Sequence, residues 1–310
     1  MYRIGIDLGG TNIAVGIVNE NYEIVAQHSV PTGAERPAAE VIADMAGAVE
    51  TVLAKAGLTA GDCESMGIGS PGTCDSENGV VVRAYNLNWF DVPVCRMLEE
   101  HFHIPVRLSN DANCAALAET VAGAARGCRN MVLITLGTGV GGGIIIDGKI
   151  HAGMRSAGAE LGHILLVLDG EPCTCGRRGC WEAYASATAL IRQTKEAAKA
   201  NPTSLLAKIP AEEINGRTVF DAADQGDAVA EEVIGHYCVY IAAGFTDLVN
   251  ALAPEMILLG GGISRQGERI LAPIRAYVAN NCFGQHEGAI PVIQAAQLGN
   301  EAGIIGAAAL

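Results

Sequence analysis

Three glycine-rich turns, each closing an apolar run, constrain this chain more tightly than any other feature. Tyr2–Leu8 is an apolar run that stops at Gly9-Gly10-Thr11, and Asn12–Val18 resumes it. Two apolar runs joined by a glycine turn read as a β-hairpin. The scheme recurs in mid-chain: residues 131–136 form a second apolar run, GTGVGGG a turn, and residues 143–146 a strand ended by Asp147-Gly148. A third run, residues 256–259, ends in Gly260-Gly261-Gly262. Further strands are predicted at 23–30, 66–70, 106–108 and 290–295. Helical spacing covers 37–56, 92–102, 112–122, 182–200, 227–253, 264–281 and 301–310. Strands alternating with helices, and a motif repeated at the start of each half, predict two related α/β domains with a cleft between them. The boundaries expected are 1–120 with 298–310 for a smaller N-terminal domain, and 121–297 for a larger one.

Glycine lets backbone N–H groups approach an anion with no Cβ in the way, and successive amides form an anion-binding nest. Two familiar phosphate loops are excluded. Gly137, Gly139 and Gly142 fit GxGxxG, but the dinucleotide site needs a helix next, and IIIDGK follows. No GxxxxGK[ST] occurs. With 20 Lys and Arg against 34 Asp and Glu, the net charge is −14. That field disfavours nucleic acid and anionic membrane surfaces, so a phosphate site must be local, built from amides and a divalent cation. No apolar run reaches the roughly 18–20 residues of a membrane helix, and no secretory leader is visible, so the expected location is cytoplasmic. Ten cysteines in such a chain read as reduced thiols or metal ligands.

Polar residues gather in three short segments. LSNDAN places Asn110 and Asp111 at a strand end before a helix. Phosphorylating an alcohol requires a carboxylate that accepts the hydroxyl proton, and Asp111 is the candidate. Asn and Asp are also good helix N-caps, and the sequence does not separate the two roles. In ELGH, Glu160 and His163 are three apart, one face of a helical turn. With Glu182 they suit a hexose, whose hydroxyls each donate and accept. His163, Cys173, Cys175 and Cys180 form H-x9-C-x-C-x4-C, a Cys3His set that suits structural zinc with every position filled. Gly176 and Gly179 let that loop fold back, and Arg177 and Arg178 favour thiolates.

DLGGTN, LGTGVGGG and the late GGG resemble the nucleotide-binding signature of the actin-like ATPase and sugar-kinase (ribonuclease H-like) fold. Together with ELGH and CTCGRRGCWE they resemble the ROK family, nearest to its bacterial glucokinases, from residue 2 to 306. The resemblance implies ATP-dependent phosphorylation of a hexose, glucose to glucose 6-phosphate first among them, by an ATP:hexose 6-phosphotransferase. It implies that Gly9, Gly10, Thr11, Thr138 and Gly139 hold phosphates, that Gly261 and Gly262 flank the adenosine, and that Asp7 faces magnesium. Asp111 would be the general base. Gly72, Asn86, Asn110, Asp111, Glu160, His163 and Glu182 would contact the sugar.

Kinases of N-acetylmannosamine, mannose, fructose or allose share most of these motifs. The competing classes are a sugar-responsive repressor and a silent sugar-binding protein. A repressor would carry a helix-turn-helix segment, whereas here the hairpin begins at residue 2. Intact Asp7, Asp111 and glycine turns speak against the silent protein. Relatives imply a homodimer or tetramer. If zinc shapes only the sugar pocket through His163, metal loss should raise the sugar KM and leave the nucleotide site formed.

Overall fold

The two apolar runs around Gly9-Gly10 form strands β1 (Tyr2–Leu8) and β2 (Asn12–Val18), antiparallel with Asp7 opposite Ala14. The structure, a computed structural model, describes residues 1–283, 288 and 290–310. Its contacts divide the chain into two units: residues 1–133, 143–159 and 296–310, and residues 134–142 and 160–295.

In the first unit β3 (Ile24–Pro31) continues the meander, and α1 (Ala38–Ala56) follows. Val41, Ile42, Met45, Val49, Val52 and Leu53 recur at helical spacing on α1 and are buried. Then come β4 (Cys63–Ser70), β5 (Thr73–Asp75), β6 (Val80–Ala84), β7 (Trp89–Val92), α2 (Val94–Phe102), β8 (Val106–Asn110) and α3 (Asp111–Val121). The main sheet runs β3-β2-β1-β4-β8, with β4 parallel to both β1 and β8.

The remainder comprises β9 (Met131–Leu136), β10 (Val140–Ile146), β11 (Lys149–Ile150), α4 (Glu182–Ala185), α5 (Ala187–Ala200) and α6 (Thr218–Asp224). Then follow α7 (Ala228–Leu252), β12 (Met256–Gly260), α8 (Glu268–Asn281), β13 (Val292–Ala295) and α9 (Ala302–Ala308). The second five-stranded sheet runs β11-β10-β9-β12-β13. Its strand order matches the first position for position, so the repeat read from the glycine turns is a repeat of the sheet.

Four local expectations change. β5, β6 and β7 form a small antiparallel sheet that was not anticipated. Its first turn is set by Asp75, whose carboxylate accepts the N–H groups of Glu77 and Asn78. Val92 ends β7, and the helix begins only after Pro93. β10 starts at Val140, so the mid-chain turn is Gly137–Gly139 alone, and Gly142 and Gly143 are strand residues. The stretch 182–200 is two helices, broken where Ser186 caps α5 by accepting the Ala189 N–H at 3.1 Å.

Two features hold the first unit together. Buried Glu119, on α3, accepts the backbone N–H groups of Ala124, Gln297 and Leu298, each at 2.8 Å. It thereby fixes the chain where it leaves this unit and where it returns. The last helix, α9, lies backbone to backbone on β4 and α3. A Cβ at Gly67 would be 1.8 Å from the Ala307 carbonyl oxygen, and one at Gly306 1.8 Å from that of Cys114. No flexible side chain can yield at these contacts, so Gly67→Ala should destabilise the protein by more than about 3 kcal/mol. Urea unfolding of the variant beside the exposed control Gly47→Ala, whose added methyl meets nothing, measures this.

Candidate active site

Parallel strands end on one edge, and in the first unit that edge collects the candidate residues. Asp7 pairs in register with Gly69, Gly69 with Ser109, and Ser70 with Asn110. Asn110 is the N-cap of α3: its Oδ1 accepts the N–H of Ala112 at 2.9 Å, and its Nδ2 donates to the Gly72 carbonyl at 3.1 Å. Asp111 follows as the first helical residue, exposed to solvent, with an ideal Cβ at Gly69 only 3.8 Å from its Cα. The N-cap position thus falls to Asn110, while Asp111 Oδ1 accepts the same Ala112 N–H at 2.8 Å. Gly72 has φ +84°, and a Cβ there would lie 2.1 Å from the Arg83 carbonyl oxygen, so only glycine fits. At the hairpin, the Gly9 N–H donates to the Asn12 carbonyl at 2.9 Å. Buried Thr32, which sequence reasoning missed, clamps this turn: its hydroxyl donates to the Gly9 carbonyl at 2.7 Å and its N–H to the Thr11 carbonyl at 2.9 Å. The Asn86 amide lies over Gly10, 3.3 Å from where a Cβ would stand. One strand edge therefore carries Asp7, Gly9, Gly10, Thr11, Gly72, Asn86, Asn110 and Asp111.

Burial, and then the Asp111 carboxylate nearby, push the Asp7 carboxyl up to about 6. Among the described residues no cationic side chain forms an ion pair with Asp7. A largely buried Asp7 carboxyl beside a second carboxylate fits a site for a hard divalent ion with oxygen ligands. Burial also pushes the thiols of Cys74, to about 12, and of Cys114 upward, so neither is a thiolate nucleophile.

In the second unit two glycine turns adjoin. Gly261 has φ +83°, and a Cβ there would be 2.3 Å from the Leu136 carbonyl oxygen, directly before the Gly137–Gly139 turn. Gly262 opens the short turn that follows β12. The start of α5 grips the Gly137–Gly139 turn: the Ala187 N–H and the Thr188 hydroxyl donate to the carbonyls of Gly137 and Thr138, both at 2.8 Å. Beside it, Glu182 Oε2 accepts the Val140 N–H at 2.9 Å. Glu160 is exposed and precedes a single 3-10 turn, Leu161–His163, in which the His163 N–H donates to the Glu160 carbonyl at 3.0 Å. Glu160 thus stands at the N-cap position of the turn and His163 is its last residue.

The cysteine loop brings its donors together. The ligand atoms of His163, Cys173, Cys175 and Cys180 all lie within 4.8 Å of one another. Cys173 Sγ is 3.7 Å from His163 Nδ1, and Cys175 Sγ is 3.6 Å from Cys180 Sγ. Metal–ligand bonds of about 2.3 Å give tetrahedral edges of about 3.7 Å, so the four donors fit zinc. The Arg177 N–H holds the Cys175 thiol below the usual range, while burial pushes Cys173 up to about 11. The other seven cysteines form no disulfide among the described residues, and all of them except half-buried Cys128 are buried.

Paired α/β units with matching sheet order, glycine turns at strand ends and a carboxylate at a parallel-strand edge define an actin-like ATPase fold of the sugar-kinase type. The ROK family model matches residues 3–310, and the chain belongs to that family. A glucokinase of Halalkalibacterium halodurans is 38% identical over 309 residues, 98% of this chain and 93% of that protein. A ROK family glucokinase from Streptomyces griseus, solved in complex with glucose and AMPPNP, is 38% identical with a TM-score of 0.81, covering 100% of this chain and 98% of that one. The ROK hexokinase from Thermus thermophilus is 35% identical with a TM-score of 0.83, covering 99% and 97%.

Asp7 makes a test of the charge balance. Its folded value of about 6 lies above the ordinary 3.8, so the native state binds the proton more tightly. Stability therefore falls as pH rises through that window, and above it ionised Asp7 costs up to about 3 kcal/mol. Without magnesium or nucleotide, Asp7→Asn should be more stable than the parent at pH 7.5, and the gap should close toward pH 4. Urea denaturation of both proteins across that range checks it.

Proposed function

We infer that this chain transfers the γ-phosphoryl group of ATP to a hexose, with glucose as the acceptor and glucose 6-phosphate and ADP as products. The observation that carries this reading is the strand edge where Asp111 lies beside Asp7 and the Gly9-Gly10 hairpin, in a chain whose near-full-length relatives include glucokinases.

On this reading Asp111 accepts the proton of the attacking hydroxyl as its oxygen bonds to the γ-phosphorus and the bond to the ADP leaving oxygen breaks. Asn110 has spent Oδ1 on the helix cap and one N–H on Gly72, which leaves its second N–H for a sugar hydroxyl. Glu160 and Glu182 accept from other hydroxyls, the His163 ring N–H turned away from the metal donates, and Gly72 and Asn86 line the sugar. Gly9, Gly10, Thr11, Thr138 and Gly139 hold phosphates, with Gly261 and Gly262 at the adenosine. Magnesium beside Asp7 would neutralise phosphate charge, and zinc on His163, Cys173, Cys175 and Cys180 would hold the loop in shape. An acidic chain of reduced thiols, with no helix long and apolar enough to cross a membrane among the described residues, suits the cytoplasm, and a homo-oligomer suits the family.

ADP release measured across glucose, N-acetylmannosamine, mannose, fructose and allose decides the acceptor, with glucose expected to give the highest kcat/KM. Asp111→Ala should lower kcat by about 10²–10⁴ while leaving the folded protein intact. Near-normal turnover by that variant would remove Asp111 from the chemistry, and a different best sugar would reassign the acceptor.

A further inference from the structure

Glu182 is a sugar-ligand candidate, yet both of its carboxylate oxygens are already engaged on the protein. Oε2 accepts the Val140 N–H at 2.9 Å, at the exit of the Gly137–Gly139 turn. Gly139 makes room for it, since a Cβ there would stand 2.3 Å from that oxygen. The glycine of this motif thus admits a carboxylate, besides any phosphate it serves. Oε1 faces the cysteine loop, accepting the Thr174 hydroxyl at 3.2 Å with the Cys173 sulfur at 3.7 Å.

We propose that Thr174 and Glu182 form a strap through which filling the Cys3His site tightens the nucleotide turn. Thr174 sits between two of the metal donors, Cys173 and Cys175, so closing the loop on a metal fixes its backbone on both sides. With the Cys173 sulfur committed to the metal, Thr174 is the hydroxyl donor on that side of the carboxylate. Ala187 and Thr188 hold Gly137 and Thr138, and within the turn the Gly137 N–H donates to the Gly139 carbonyl at 3.0 Å. Glu182 governs the far end, at Gly139 and Val140. A hydrogen bond to an ionised acceptor is about twice as strong as a neutral one, enough to bias the turn. A carboxylate offers about four acceptor positions, so the strap leaves room for a sugar hydroxyl on the same group. With the loop open, Oε1 loses its partner, the carboxylate swings off Val140, and the turn loosens. Metal loss therefore reaches the nucleotide site, which the sequence alone led us to expect it would spare. The inference rests on the reading that this turn holds ATP phosphates.

The test is calorimetric binding of a non-hydrolysable ATP analogue with magnesium to the full chain, in zinc-loaded and chelator-stripped forms. Zinc content is measured on each sample. Stripping should weaken binding by about tenfold. Thr174→Val, still zinc-loaded, should show a similar loss and respond to stripping by less than twofold, and Thr174→Ser should restore both. Equal affinity of loaded and stripped parent protein, or a full stripping response in Thr174→Val, overturns the strap while kinase turnover stands. Failure of the zinc-loaded parent both to bind the analogue and to phosphorylate any hexose would take the kinase reading down with it.

Discussion

Strands that run parallel must finish on the same side of their sheet, and the chemistry of the first unit follows from that constraint. β1, β4 and β8 deliver Asp7, Gly69 and Asn110 to neighbouring positions although they are far apart in sequence. Helix α3 starts at that edge, with Asn110 at the N-cap position and Asp111 as its first residue. The cost is two carboxylates in one place, one of them largely removed from water, and the raised Asp7 carboxyl records it. A largely buried carboxyl of this kind suits a cation arriving with its ligand.

Much of this was legible because glycine turns and apolar alternation are local signals. The β1–β2 hairpin, the recurrence at β9–β10, the family and the four metal donors could be read from short stretches. What escaped were contacts set by distant partners. Thr32 clamps the Gly9 turn from 23 residues away, and nothing in its own neighbourhood marks it. The β5-β6-β7 sheet has strands of only three to five residues, too short for a period to declare itself. The turn after β9 looked longer than it is because Gly142 and Gly143 resemble turn residues. Gly143 is a strand residue chosen for packing: a Cβ there would meet the Ala112 carbonyl oxygen at 2.6 Å.

Glu182 illustrates how one carboxylate can serve two neighbourhoods. The family resemblance assigns it to the sugar; geometry also joins it to the mid-chain turn. Such sharing makes the loop and the turn poor candidates for independent change. A substitution that is harmless to metal binding can still be felt where the nucleotide would sit.

The close seat of α9 on β4 and α3 carries a consequence for synthesis. The first unit contains residues 1–133, yet its interior is finished by a helix that begins at Ala302. Emerging chain therefore cannot complete that unit in the order it is made. At roughly 5–20 residues per second, translating the stretch from Cys114 to Gly306, or the longer one from Gly67 to Ala307, leaves these contacts uncovered for roughly 10–50 s. The second unit, whose residues all precede 296, has its full complement first. Newborn molecules thus mature from the middle outward, with the earliest-made segment the last to be sealed.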